Sequence, residues 1–474
     1  MWENKKLHFF ILLFLSLTVI LGRLHEGGLA SLDDCYYAEK SKEILLTGDW
    51  FSLYFNYKPR SYEPPPPLYM WSTAVLFKLF GISEYTAKLT SALSGVILIA
   101  LVYFFARMLY GHPAGIASSF ILLTTHYFLA KTQRGMVDVL LALMITAALF
   151  CFVKGIGNKK YLLLFGLFTG LAVLTKSILG TVPIFAALCY MIISPERKKI
   201  NMPFFLAGLA VMAAVASPFF IVGYLKFGKT FLNRQFITNL LDRALYGRMG
   251  KASPPYHWSG YFKHLYHIAA QSFPWWIFAL FGAVRTVRNR DSKGSILLLW
   301  AAIVIIGTSV AKIKSPWHII PVYPALSMIA GNTVSRYLKA ENRIKVVKGI
   351  AVFSLAVSIF VIVFPFRFVK EENADIRKLA PYIKGNTAEH EEILIYRLDY
   401  WTMMNPLLFY ADRPASRPLE NEDLLRRAMG TDKRPLCISR ISDYERLKGK
   451  YGLIKLEGSM VLFSGLPLPV TPQK

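Results

Sequence analysis

The 474-residue chain is 54% hydrophobic and 18% charged, carries 34 Phe and 25 Tyr, and has a formal net charge of +26. That profile excludes an ordinary soluble enzyme and points to a polytopic membrane protein, because apolar runs near the roughly 20 residues needed to cross a bilayer keep recurring. The excess of Lys and Arg is no evidence for nucleic acid, because it gathers in short segments between apolar runs, where topology and anionic lipid contact explain it.

Eleven spans are predicted, near 8–24, 85–105, 114–131, 137–154, 160–176, 178–194, 203–223, 264–284, 294–311, 317–334 and 346–366. The first follows Lys5 and Lys6, as a signal peptide would. No small-residue cleavage site follows closely and apolar segments continue, so it reads as an uncleaved helix. The short basic segments, including Lys159-Lys160, Arg197-Lys198-Lys199 and Arg285 through Lys293, are assigned to the cytoplasm. The long segments 25–84 and 224–263 and the tail then face outward.

In the first outer segment a helix is expected over 34–46, with Asp33 or Asp34 as N-cap and Gly48 as the stop. Pro64 to Pro67 form a stiff extended strut, since consecutive prolines lack backbone donors and favour polyproline II. Leu68 to Phe80 reads as a helix lying on the membrane surface. Of the four cysteines, Cys151 and Cys189 suit buried apolar positions, and nothing in their spacing suggests a metal or a disulfide. From residue 367 the composition changes. Apolar strands at Ile393–Tyr396, Leu436–Ile438 and Met460–Phe463 alternate with helices at Trp401–Tyr410 and Asn421–Met429, the pattern of a small α/β domain. The expected architecture is therefore a polytopic α-helical membrane domain over 1–366 with a small C-terminal α/β domain over 367–474.

This topology collects Asp33, Asp34, Glu63, Arg134, Asp138, Lys176, Lys312 and Lys314 on the outer face. Taken singly, Asp33, Asp34 or Asp138 has a plain alternative as a helix cap, and Lys312 or Lys314 as a contact to lipid phosphate. Acids and cations at the ends of several spans suit transfer from a phosphate-linked donor. A carboxylate takes the proton of the attacking group, and a cation neutralises the departing phosphate. On residues alone, a lipid-linked group transferase and a transporter stand nearly equal, and the large outer segments favour the enzyme.

The run Asp33-Asp34-Cys35-Tyr36-Tyr37-Ala38-Glu39 with Gly48-Asp49-Trp50 resembles the first outer loop of bacterial glycosyltransferase C proteins. The nearest resemblance is to the aminoarabinose transferase and protein O-mannosyltransferase-like group. Tyr62-Glu63-Pro64-Pro65-Pro66-Pro67-Leu68-Tyr69, Phe80-Gly81, Arg134 through Asp138, Lys314-Ser315-Pro316, Pro321 and Tyr323-Pro324 follow in family order. The resemblance implies an enzyme of the bacterial inner membrane, with its site and tail domain facing the periplasm. Its donor would be a sugar on undecaprenyl or another polyprenyl phosphate, and its acceptor an envelope lipid, protein or glycan. It further implies Asp33 as general base, Asp138 as a second acid, Asp34 as an acidic neighbour and Lys314 as a donor-phosphate contact. Arg134, Lys176, Arg60 and Lys58 are further candidates for the phosphate, and Tyr37, Tyr62, Tyr69, Trp317 and His318 for the substrate wall.

Two departures from the family pattern matter. Relatives have Glu-Lys-Pro where this chain has Glu63-Pro64-Pro65, which removes a phosphate-binding lysine. They also hold a metal with the loop Glu and a His in the second long outer segment. Here 249–254 contains no His, and His257 lies just beyond, so Glu63 and His257 are the candidate ligands of the one divalent metal the resemblance admits. A transporter of lipid-linked or polysaccharide cargo, and a non-catalytic assembly factor, are the competing readings.

Overall fold

The computed structural model describes residues 5–22, 24–30, 32–52, 54–55, 58–59, 66–237, 259–311, 315–337, 352, 356, 359–360, 372–389, 391–430, 435–447 and 449–465. The chain forms two compact units. The first takes Met1–Leu24, Ser61–Ser72 and Lys88–Phe368; the second takes His25–Arg60, Thr73–Ala87 and Val369–Lys474.

In chain order the helices are α1 (Lys5–Leu21), α2 (Asp34–Thr47), α3 (Leu68–Phe80), α4 (Glu84–Tyr110), α5 (His112–Thr124), α6 (His126–Thr132), α7 (Val137–Gly157) and α8 (Tyr161–Thr175). They continue with α9 (Val182–Ile193), α10 (Met202–Phe227), α11 (Lys229–Leu232), α12 (Ser259–Gln271), α13 (Trp275–Arg288), α14 (Ser292–Val310) and α15 (Tyr323–Tyr337). Among the described residues α4, α7, α10 and α14 are long and apolar enough to cross a membrane, and α5 with α6 makes a fifth if the bent pair is one span.

Several expected spans are not continuous helices. The span expected over 114–131 bends by 70° between α5 and α6. The one over 264–284 breaks between Gln271 and Trp275, where Pro274 has no N–H to give a helix. That over 317–334 begins as a 3-10 turn, Pro316–Val322, before α15. Most of 346–366 lies outside the described residues.

Within the first unit α8 packs on α7 and α10, and α15 packs on α5 and α13. Gly166 and Gly208 make the α8–α10 contact, and a Cβ on Gly166 would sit 1.8 Å from the Gly208 carbonyl oxygen. In an apolar phase helix association rests on such close backbone approach. Large apolar side chains point outward, among them Phe10, Phe14, Leu206, Leu225, Phe281 and Val287. Only 22% of the most apolar window of α10 is buried. Apolar surface on this scale fits a hydrocarbon solvent rather than water.

In the second unit α2 stops at Gly48, whose φ of 68° is the left-handed geometry glycine accepts without strain. Two short strands, β1 (Tyr54–Phe55) and β2 (Lys58–Pro59), pair antiparallel. The tail forms a five-stranded mixed sheet in the order β4-β3-β5-β7-β6. Its strands are β3 (Ile393–Tyr396), β4 (Ala415–Leu419), β5 (Leu436–Arg440), β6 (Gly452–Glu457) and β7 (Met460–Ser464). The parallel pairs β3–β4 and β3–β5 are linked through helices at Tyr400–Pro406 and Glu422–Met429. One core joins Ile376, Leu379 and Ile383 of the helix Ala374–Asn386 to Ile393, Ile395, Ile438 and Leu462 of the sheet. The four cysteines are free, and Cys35 and Cys437 are both buried.

Candidate active site

The first unit builds its polar centre at the start of α7. Asp138 is the second residue of this helix, where aligned peptide dipoles favour a carboxylate. It is 1% exposed, and its Oδ1 accepts a hydrogen bond from Lys176 Nζ at 2.8 Å. Lys176 follows the last turn of α8 in extended geometry, and its side chain is 21% exposed. The other carboxylate oxygen, Oδ2, is buried and has no hydrogen-bond partner among the described residues. A buried acceptor oxygen without a protein partner is a place where a water or a substrate hydroxyl can bond. Lys176 has three donors and spends one on Asp138, so it retains N–H groups for an anion.

The turn leading to α7 is tightly held. Met136 N–H donates to the Arg134 carbonyl at 2.9 Å. Gln133 Nε2 donates to the Val19 carbonyl at 2.9 Å, tying the turn to the end of α1. Lys131, on α6, lies 5.2 Å from the Tyr127 ring centroid and 5.7 Å from that of Trp317, and its Nζ is 3.4 Å from Met136 Sδ. Trp317 and His318 meet edge to face. Asp138 thus meets Lys176 at the start of α7, while Lys131 links the turn before it to Trp317.

Sequence reasoning missed Lys131. A cation inside an otherwise apolar run, one turn before Arg134, was the signal, because an ionisable residue in a membrane segment is by default a functional candidate. Tyr69, a candidate for the substrate wall, sits in the helical interior. It is fully buried, and its hydroxyl lies 3.2 Å from Ser91 Oγ, inside the helical unit.

In the second unit Asp33 is half-buried at the start of α2 and makes no side-chain cap hydrogen bond to the helix. Its neighbour Asp34 is buried and accepts from the Ala30 N–H through Oδ2 at 3.2 Å. Asp34 therefore closes the turn back onto Ala30. The loop before them is stapled to the tail: Leu29 N–H donates to Tyr410 Oη at 3.1 Å, and Asn373 Nδ2 donates to the Leu29 carbonyl at 2.6 Å. Tyr410 in turn donates to Glu84 at 2.6 Å, and Arg377 pairs with Glu84 at 3.1 Å. Tyr37 is 7% exposed and joins the interior of this unit.

Four of the charges of α2 are themselves buried. Lys42 Nζ contacts Glu39 Oε2 and Asp412 Oδ1, each at 2.7 Å, and donates to the Leu408 carbonyl at 2.6 Å. Lys40 pairs with Glu43 at 3.3 Å. Burial pushes the Glu39 carboxyl up to about 7, with Glu43 adding to the rise and Lys42 opposing it. Burial also works against the Lys42 ammonium, but Glu39 and Asp412 outweigh it and hold its pKa above the usual value. Asp412, whose side chain is 41% exposed, carries its negative charge at lower cost, and Lys42 and Lys384 keep it below the usual carboxylate range against the effect of burial.

Arg60, Tyr62, Glu63, His257, Lys314 and the side chain of Lys58 lie outside the described residues. Among the described residues no cluster of three His, Cys, Asp or Glu side chains could hold a metal.

Residues 64–222 match the family model described as dolichyl-phosphate-mannose-protein mannosyltransferase. An uncharacterized protein of Aquifex aeolicus is 26% identical over 330 residues, which cover 68% of this chain and 62% of that protein. The undecaprenyl phosphate-alpha-4-amino-4-deoxy-L-arabinose arabinosyl transferase 1 of Pseudomonas fluorescens is 26% identical over 339 residues, covering 68% of this chain and 59% of its own length. The matched region thus spans less than two thirds of these relatives. The crystal structure of ArnT from Cupriavidus metallidurans bound to undecaprenyl phosphate superposes with a TM-score of 0.79 at 18% identity, covering 98% of both chains. The apo oligosaccharyltransferase of Archaeoglobus fulgidus gives a TM-score of 0.57 at 14% identity, covering 95% of this chain and 73% of that one. The chain thus shares the fold of the ArnT structure and, over its matched part, sequence similarity with the mannosyltransferase family model and with aminoarabinose transferases.

Proposed function

We propose that the protein transfers a sugar from a polyprenyl-phosphate donor, undecaprenyl phosphate being the carrier its relatives name, to an envelope acceptor at the periplasmic face of the inner membrane. The observation that carries this reading is the Asp138–Lys176 pair, a buried acid with one unmatched oxygen beside a cation with donors to spare. Such a pair suits a phosphate-linked sugar, with Lys176 facing the phosphate and Asp138 both orienting that lysine and accepting from a substrate hydroxyl. Fold alone assigns no chemistry, so the residue roles rest on this pair and on the motif resemblance.

In the proposed reaction an acceptor oxygen attacks the anomeric carbon from the face opposite the phosphate. The bond from that carbon to the phosphate oxygen breaks, and its electron pair leaves with polyprenyl phosphate. Asp33 takes the acceptor proton, so configuration inverts in a single displacement. Lys176, with Arg134 and Lys314, neutralises the charge that grows on the departing phosphate. The eleven-span topology and the outward-facing tail domain belong to the same proposal.

The test is release of free polyprenyl phosphate by purified protein supplied with an undecaprenyl-phosphate-linked sugar and an envelope lipid acceptor. Asp33→Asn should abolish release while leaving undecaprenyl phosphate binding within about twofold of wild type, since removing a proton acceptor affects the transition state more than the bound donor. Normal turnover by that variant would remove Asp33 from the base role. Movement of intact lipid-linked sugar across vesicles without release would favour a transporter instead.

A further inference from the structure

Asp138 is placed by a device that lies outside the motif residues. Met136, the N-cap residue of α7, has extended backbone and an apolar side chain that cannot cap a helix. Ser91, on α4, instead holds this residue's own backbone from across the unit. Its Oγ donates to the Met136 carbonyl at 2.7 Å and accepts at 3.1 Å from the Met136 N–H, which is shared with the Arg134 carbonyl. One hydroxyl thereby pins both backbone groups of the residue two positions before Asp138. Tyr69, in the first turn of α3, has its hydroxyl 3.2 Å from the same Oγ.

The proton count fixes the direction of this chain. A serine hydroxyl offers one donor and two acceptor sites. Ser91 spends its proton on the Met136 carbonyl, the shorter contact, so the Tyr69 O–H must be the donor in its contact with Ser91. Ser91 is then saturated, giving one hydrogen bond and receiving two. Ser91 and Tyr69 have no exposed surface, and Met136 is 3% exposed, so water cannot stand in for any of these groups.

We infer that Ser91, oriented by Tyr69, is a positioning residue for Asp138: it fixes the start of α7 and so the point from which Asp138 meets Lys176 and the substrate. Tyr69 follows directly on Pro66, Pro67 and Leu68, so the end of the first outer segment is connected through one hydroxyl chain to the turn that carries the second acid. The inference about turnover rests on the proposed transferase reading, whereas the clamp itself does not.

Two measurements on the full-length protein in lipid nanodiscs separate them. Amide exchange over residues 136–140 should speed up in Ser91→Ala, and less so in Tyr69→Phe, which leaves both Ser91–Met136 bonds in place. In the polyprenyl-phosphate release assay, Ser91→Ala should lower kcat by about tenfold or more while donor KM stays within about twofold, because misplacing a catalytic group by a fraction of an ångström acts on the transition state. If Ser91→Ala fails to accumulate folded, Tyr69→Phe carries the same readouts at smaller amplitude. Unchanged exchange overturns the clamp, and a loss confined to KM overturns its link to Asp138. Exchange that speeds up in a protein whose wild type releases no polyprenyl phosphate would uphold the clamp and sink the transferase reading.

Discussion

Asp138 and Lys176 are unequal partners, and the inequality predicts which can be lost. The carboxylate is 1% exposed and the lysine side chain 21% exposed. Removing the lysine leaves a buried acid with no cation, whereas neutralising the acid leaves a lysine that still reaches solvent. Lys176→Met should therefore destabilise the protein more than Asp138→Asn, by up to about 3 kcal/mol, as expected for stripping one side of a buried ion pair. Thermal melts of both variants in the same detergent check the order; equal losses would count against it. Asp33 differs again: it is the proposed proton acceptor, so Asp33→Asn should cost turnover. These residues were legible as a set of outer acids and cations. Lys131 was signalled only as a cation in an apolar run; that it lies near two aromatic rings, those of Tyr127 and Trp317, depends on tertiary contacts.

At the scale of the element, α2 is the clearest case of sequence and packing diverging. Its start near Asp33 and its stop at Gly48 follow from local rules of capping and left-handed backbone. Its pattern of Glu39, Lys40, Lys42 and Glu43 suggests a solvated face, yet all four are buried. The reason is non-local: Asp412 and the Leu408 carbonyl come from the tail, some 370 residues later, to complete the shell of Lys42. A pH dependence follows. The Glu39 carboxyl, raised by burial from 4.5 to about 7, contributes stability that is fully present below about 4.5 and is lost as pH rises through 7. Asp412, held low, acts in the opposite sense and loses its contribution only in acid, below the ordinary carboxylate range. Glu39→Gln should flatten the decline in melting temperature between pH 5 and 8 that the wild type shows. A variant whose melting temperature falls as steeply as the wild type over that range would contradict this assignment.

Across the whole molecule, close helix contact in the first unit depends on small residues that hydropathy does not single out. Gly166→Leu should push α8 away from α10, since even a Cβ at this position meets the Gly208 carbonyl. Folded yield in detergent should drop sharply, with a cost of about 1–3 kcal/mol or more from overpacking; a normal yield would mean that the two helices part freely. Topology has its own check: a reporter fused after Lys474 should score as periplasmic, and a cytoplasmic result would overturn the proposed orientation.

Length, apolar runs and the order of outer-loop motifs were enough to mark a membrane protein resembling the glycosyltransferase C type, and to single out Asp33 and Asp138 as candidates. These properties are written locally, in hydrophobicity, helix stops and short spacings, so one chain segment at a time reveals them. Tertiary structure alone decided that α5 and α6 bend apart, that Asp138 meets Lys176, that Ser91 and Tyr69 hold the turn before it, and that tail residues staple the loop ahead of Asp33. Each of these depends on a partner far away in sequence, and hydrogen bonds between distant residues leave no periodicity for a sequence to display. Asp33 was visible as an acid in an unusual place; that its neighbour Asp34 closes the turn onto Ala30 was visible only in three dimensions.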